Sequence, residues 1–137
     1  MMEGYVKAFI RSSLSWLGIG VLIGVSMAIW PAEALAYRPA HLHANLLGFV
    51  TMMIAGIAYH VIPRFTGNPL YSRPLAILHL WVANIGLALM VGGWMATVRV
   101  GAVGQMGLRV GSVIAACGAG LFIYNIWRTL DGRGART

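Results

Sequence analysis

Between Pro39 and Pro63 the chain reads PAHLHANLLGFVTMMIAGIAYHVIP, 25 residues without a single Asp, Glu, Lys or Arg. At about 1.5 Å per residue a helix of this length exceeds the ~30 Å hydrocarbon core of a bilayer. The segment carries His41 and His43 near one end and His60 near the other, so reading it as a membrane span also places three of the four histidines.

Three further uncharged stretches surround it: Ser12 to Ala32, Pro74 to Val98 and Val110 to Trp127. The whole chain is 59% hydrophobic and 9% charged, with a mean hydropathy of +0.78, a composition that belongs in lipid rather than in a soluble domain of 137 residues. The expected fold is all-α: an integral membrane four-helix bundle forming one domain over 1–137, with spans at about 12–31, 40–62, 75–97 and 108–127. Lys7 and Arg11 ahead of the apolar run from Leu14 to Trp30 mimic a secretory signal. That run exceeds the ~7–15 residues of a signal core, so it reads as a retained helix.

Net charge is +7, but the positive side chains flank the spans and form no patch or arm of the kind that binds nucleic acid. Lys7, Arg11, Arg64, Arg73, Arg128, Arg133 and Arg136 fall on one side; Arg38, Arg99 and Arg109 fall on the other. The positive-inside rule then makes both termini cytoplasmic and sends the 39–63 helix from outside to inside. The expected breaks are a short outer link over Pro31 to Arg38, a tight inner connection over Pro63 to Pro74, and a glycine interruption at Gly101, Gly104 and Gly107. Gly18, Gly20 and Gly24 on the first helix, and Gly111, Gly118 and Gly120 on the last, offer small-residue faces for a packed bundle or a homo-oligomer.

Helices two and three contain no Asp, Glu or Lys by this reading, which leaves nothing from which to build a proton-coupled path, a charged channel ring or a hydrolytic site. The histidines remain. His43 and His60 are 17 residues apart, about 25 Å along a helix, so one ion cannot use both. His41 and His43 differ by about 200° around the axis and point to opposite faces, so only one serves as an inward ligand. His60 and His79 lie at similar depth near the inner face, on consecutive antiparallel helices. They could hold a haem between them, with its propionates reaching Arg64 and Arg73. An outer ligand would need a second partner: a methionine (Met27, Met90, Met95, Met106), another copy, another subunit, or none. The competing reading is that the histidines, like Asn45 and Asn84, only bond helices together.

The stretch Arg38-Pro-Ala-His-Leu-His-Ala-Asn-Leu-Leu-Gly-Phe49, continuing to Gly56-Ile-Ala-Tyr-His-Val-Ile-Pro-Arg64, resembles helix two of subunit I in the haem-copper oxidase superfamily, with the greatest likeness to cbb3-type oxidases and nitric oxide reductases. The resemblance implies that His43 ligates a low-spin haem b. With Pro63-Arg-Phe-Thr-Gly67 the same stretch also resembles the NnrS family, haem- and copper-containing membrane proteins linked to nitric oxide stress. It covers helices one to three. His41 and His79 lie outside what the motif carries over, and the catalytic core of the superfamily needs more histidines than the four present, so a self-contained oxygen or nitric oxide reductase is not expected.

The expected function is therefore a small b-type cytochrome of a bacterial or archaeal inner membrane, moving electrons alone, as a homo-oligomer or within a respiratory complex. It would bind one or two haems b in preference to copper, through the metal ligands His43, His60 and His79, with His41, Arg38, Arg64 and Arg73 beside them. A quinone or a cytochrome would be its redox partner. The alternatives are an NnrS-like protein responsive to nitric oxide, haem or copper, and a cofactor-free assembly subunit.

Overall fold

The computed structural model describes residues 2–134 and holds only helices among them. In chain order these are α1 (Gly4–Ile29), α2 (Pro31–His43), a π-helical segment (Ala44–Thr51), α3 (Met52–Thr66) and α4 (Arg73–Leu130). Three helices are long and apolar enough to cross a membrane: Gly4–Ile29, the continuous run Pro31–Thr66, and Arg73–Leu130. The chain is a multi-pass helical membrane protein.

The link expected over Pro31 to Arg38 is helical instead. Only Trp30 (φ −119°, ψ 74°) separates α1 from α2, and Pro31 starts α2 at a position where a missing N–H costs nothing. Glu33 therefore lies in the first turn of a helix, where its charge complements the positive end of the dipole. Its carboxylate lies 3.9 Å from Arg99 of the last helix. Pro63 does not end the second long helix either. α3 continues through Thr66, whose hydroxyl donates to the Ile62 carbonyl at 2.9 Å, and stops at Gly67 with φ 68°, a left-handed terminus that suits glycine.

A 58-residue helix would be about 87 Å long, nearly three bilayer cores. α4 instead breaks at Val100 and Gly101, where the backbone leaves helical geometry, and folds into two limbs, 73–99 and 102–130. Gly104 and Gly107 belong to the second limb rather than to the break. The limbs run antiparallel in a regular register set by glycine. Gly118 meets Ala83, Gly86 meets Ala115, Gly111 meets Met90, Gly93 meets Leu108 and Gly104 meets Thr97, and each pair of residue numbers sums to 201. A Cβ on Gly93 would stand 2.5 Å from the Leu108 nitrogen, and one on Gly111 would stand 2.6 Å from the Met90 nitrogen. Glycine is thus what allows backbone-to-backbone contact where lipid supplies no hydrophobic drive for helix association. Gly18 and Gly120, counted with these faces in the sequence, meet nothing within 4 Å.

Polar side chains fasten the bundle at two levels. The Ser12 hydroxyl and the Trp16 indole N–H both donate to Asn84 Oδ1, at 2.6 and 2.9 Å, joining α1 to α4. At the start of α4 the fully buried Asn125 accepts from the Ser72 N–H at 3.0 Å and donates to the Ser72 carbonyl at 2.8 Å. Thr129 accepts from the Tyr71 N–H at 3.0 Å. The end of the second limb therefore holds the 67–72 loop. Asn125→Leu keeps the branched shape but removes the partner of two part-buried backbone groups of Ser72, a loss of up to about 1–3 kcal/mol for each. We expect it to lower the thermal midpoint of the detergent-purified chain by several degrees in differential scanning fluorimetry, whereas exposed Ser112→Ala leaves it unchanged.

Candidate functional site

The two histidines of α2 have different surroundings. His41 faces α1: its Nδ1 lies 2.8 Å from the Gly20 carbonyl, and the ring lies across Gly24, where a Cβ would stand 3.0 Å from Cε1. Asn45 sits one turn on and fills the space left by Gly20, while donating to the His41 carbonyl at 2.9 Å. Gly20 and Gly24 thus form a flat strip on α1 that receives a polar pair from the neighbouring helix. His41 is an interhelical tie.

His43 points elsewhere. Its Nδ1 lies 2.7 Å from the Pro39 carbonyl of its own helix. A carbonyl can only accept, so Nδ1 carries the proton and Nε2 presents its lone pair. The residue is half-buried, and Leu46 and Leu47, one turn further along, are exposed. The π-helical segment begins at the next residue, and its wider turns rotate α3 relative to the histidine. Such segments recur at functional sites. Gly48, within it, lets the Trp16 side chain approach so closely that a Cβ would stand 2.5 Å from that of Trp16.

At the opposite end His60 holds the other tautomer. Arg64 Nη1 lies 2.9 Å from its Nδ1, and a guanidinium only donates, so Nδ1 accepts and the neutral ring carries its proton on Nε2. His79 is buried, its ring centroid 4.9 Å from Phe9, 5.4 Å from Phe122 and 5.9 Å from Tyr59, with the Tyr59 hydroxyl 3.1 Å from Nδ1. Among the described residues no hydrogen bond or ring contact joins His60 to His79. The position facing His79 belongs to Tyr59. Neighbouring residues on a helix diverge by about 100°, so His60 is turned aside.

Arg38 is exposed on α2, Arg64 is engaged with His60, and Arg73 lies 3.7 Å from Glu3. Of the methionines weighed as second ligands, Met90 is buried, Met106 is exposed, and Met27 and Met95 pack against the cluster of Trp16, Tyr37 and Leu87. Among the described residues no three His, Cys, Asp or Glu side chains converge on one point. Two features had no reading in the sequence: the aromatic cage of His79, and Arg128 stacked on Tyr71 and Tyr124 at 5.1 and 5.7 Å. A hydrogen bond with Tyr124, and then the Arg128 guanidinium, hold the Tyr71 hydroxyl below the usual phenol range. Aromatics clustered towards the ends of the apolar segments, as interfacial anchors are, were the only hint of either.

Among the described residues, helical spans carry an imidazole, His43, anchored through Nδ1 with no hydrogen bond at Nε2. The chain belongs to the cytochrome c and quinol oxidase polypeptide I family, whose profile matches residues 4–133. It is 27% identical to the Cbb3-type cytochrome c oxidase subunit CcoN1 of Stutzerimonas stutzeri over 92% of this chain and 33% of that protein. It is 25% identical to the bacteroid cytochrome c oxidase subunit 1 homolog of Bradyrhizobium diazoefficiens over 86% of this chain and 27% of the relative. Identity reaches 32% with cytochrome c oxidase subunit 1 of Rhodobacter capsulatus, over 56% of this chain and 15% of that one. The chain thus spans about a quarter to a third of the length of the first two.

Proposed function

We propose that this chain is a haem b-binding electron-transfer element of an oxidase-type assembly, with the iron held on Nε2 of His43. The observation that carries this reading is the hydrogen bond from His43 Nδ1 to the Pro39 carbonyl. It leaves the other ring nitrogen unprotonated, orients the ring and raises its basicity, as carbonyl partners of iron-bound histidines do. Exposed Leu46 and Leu47 suit the apolar face of a porphyrin, and Arg38, five residues before His43, would balance a propionate. When bound, the haem supplies one-electron exchange between ferric and ferrous iron.

His41 and Asn45 hold α2 against α1, so that the His43 ring keeps its direction. His60 and His79 do not place a ring nitrogen on a carbonyl, and His41, which does, lies with its ring across Gly24 of α1, so this reading carries one haem rather than two. A further ligand, if the haem takes one, would come from outside the described residues: a further part of a subunit, another copy or a partner subunit. Electrons are exchanged there with a quinone or a cytochrome.

The test is a pyridine haemochrome assay and a reduced-minus-oxidised spectrum of the purified chain; no haem b in wild type would overturn the reading. A second reading, gas sensing, draws on the open Nε2 of His43, which as a lone protein ligand would let a bound haem take up nitric oxide. A reduced spectrum unchanged by carbon monoxide would sink it.

In this proposal the chain crosses an inner membrane four times, α4 twice, with both termini cytoplasmic. In a Cys117→Ser background, Val100→Cys is expected to react with an impermeant maleimide added outside intact cells, and Asn68→Cys only after lysis. The reverse pattern would invert the topology.

A further inference from the structure

A cavity of about 860 Å³ opens beneath the 67–72 loop, between the start of α1, the end of α3 and the start of α4. Its charged lining residues are Arg64, Arg73 and Glu3, a net positive set, and the Tyr5 and Tyr59 side chains wall it. Ser72, the N-cap of α4, also lines it, so the positive end of a long helix faces the same space. Phe65, next to Arg64, is 87% exposed and would reach into acyl chains at this level. Cavity, guanidinium pair, helix terminus and apolar flank together match a phosphate headgroup better than a neutral solute.

We propose that this cavity binds the phosphate group of an anionic phospholipid at the cytoplasmic face, through Arg64 and Arg73. Glu3 does not block it: its 3.7 Å contact with Arg73 joins two exposed side chains, a pairing that a phosphate can displace at little cost. The cytoplasmic assignment rests on the topology proposed above. The test does not, because a nanodisc offers the same lipid to both faces.

The full chain is placed in phosphatidylcholine nanodiscs, and spin-labelled phosphatidylglycerol is compared with spin-labelled phosphatidylcholine by electron paramagnetic resonance. Wild type is expected to prefer the anionic label several-fold, and Arg64→Gln/Arg73→Gln is expected to bring that preference close to one. Lys7→Gln/Arg11→Gln, an equal charge loss from the same end but outside the cavity, should keep the preference. Arg73→Gln alone changes an exposed side chain and serves if the double variant does not fold. Equal loss in both double variants, or no preference in wild type, would overturn the cavity site. Displacement of the anionic label by millimolar inorganic phosphate would assign the site to a soluble anion and overturn the lipid source.

Discussion

Alanine at position 43 is expected to abolish the b-type haem signal per mole of purified chain, while His41→Ala and His60→Ala retain it. The three variants remove the same side chain from the same long helical run, so differential loss reports ligation rather than folding. His41 gives its Nδ1 proton to Gly20 across the helix interface, and the Gly20 carbonyl keeps its own helical partner when the imidazole is gone. His60 can use Nε2 for iron only by giving up Arg64 and relocating its proton. His43 needs neither change. Even partners one shell removed from a metal cost about 10–100-fold in affinity when mutated, and a ligand costs more. Free imidazole restoring the spectrum of His43→Gly would add to the case. Full haem content in His43→Ala, or its loss in His60→Ala, would sink the assignment.

The second large effect is structural and concerns adjacent residues. Valine at Gly93 is expected to unfold the hairpin of α4, whereas valine at Gly92 is expected to be tolerated. A Cβ on Gly93 would stand 2.5 Å from the Leu108 nitrogen and 2.8 Å from the Gly104 carbonyl oxygen, whereas one on Gly92 would meet nothing within 4 Å. Both substitutions carry the same propensity change, so the difference isolates packing. Overfilling a close-packed contact costs about 1–3 kcal/mol when side chains can yield. Backbone cannot yield in this way, so the limbs must separate. Steric trapping or thermal scanning in detergent reads the gap, and equal stability of the two variants would refute the register in which partnered residue numbers sum to 201.

What was legible in the sequence follows from chemistry that acts locally. Uncharged runs of about twenty residues must be helices in lipid, because no other single segment satisfies its own backbone there. The interruption near Gly101 was likewise visible, since Gly101, Gly104 and Gly107 lie between Arg99 and Arg109, which separate the last two apolar runs. Boundaries were less so: Pro31 and Pro63 read as stops, yet one starts a helix and the other sits in a final turn closed by Thr66 and Gly67.

The sequence by itself determined an all-helical membrane protein with histidines at two depths, because hydropathy and spacing are properties of single segments. Only the tertiary structure decided how each imidazole is used. A rotation of one residue places Tyr59 rather than His60 against His79, and the glycine strip on α1 takes His41 and Asn45. The tautomer of each ring follows from whether its Nδ1 meets a carbonyl, as in His43, or a guanidinium, as in His60. Those partners are fixed by packing angles and helix contacts, which no stretch of sequence encodes alone.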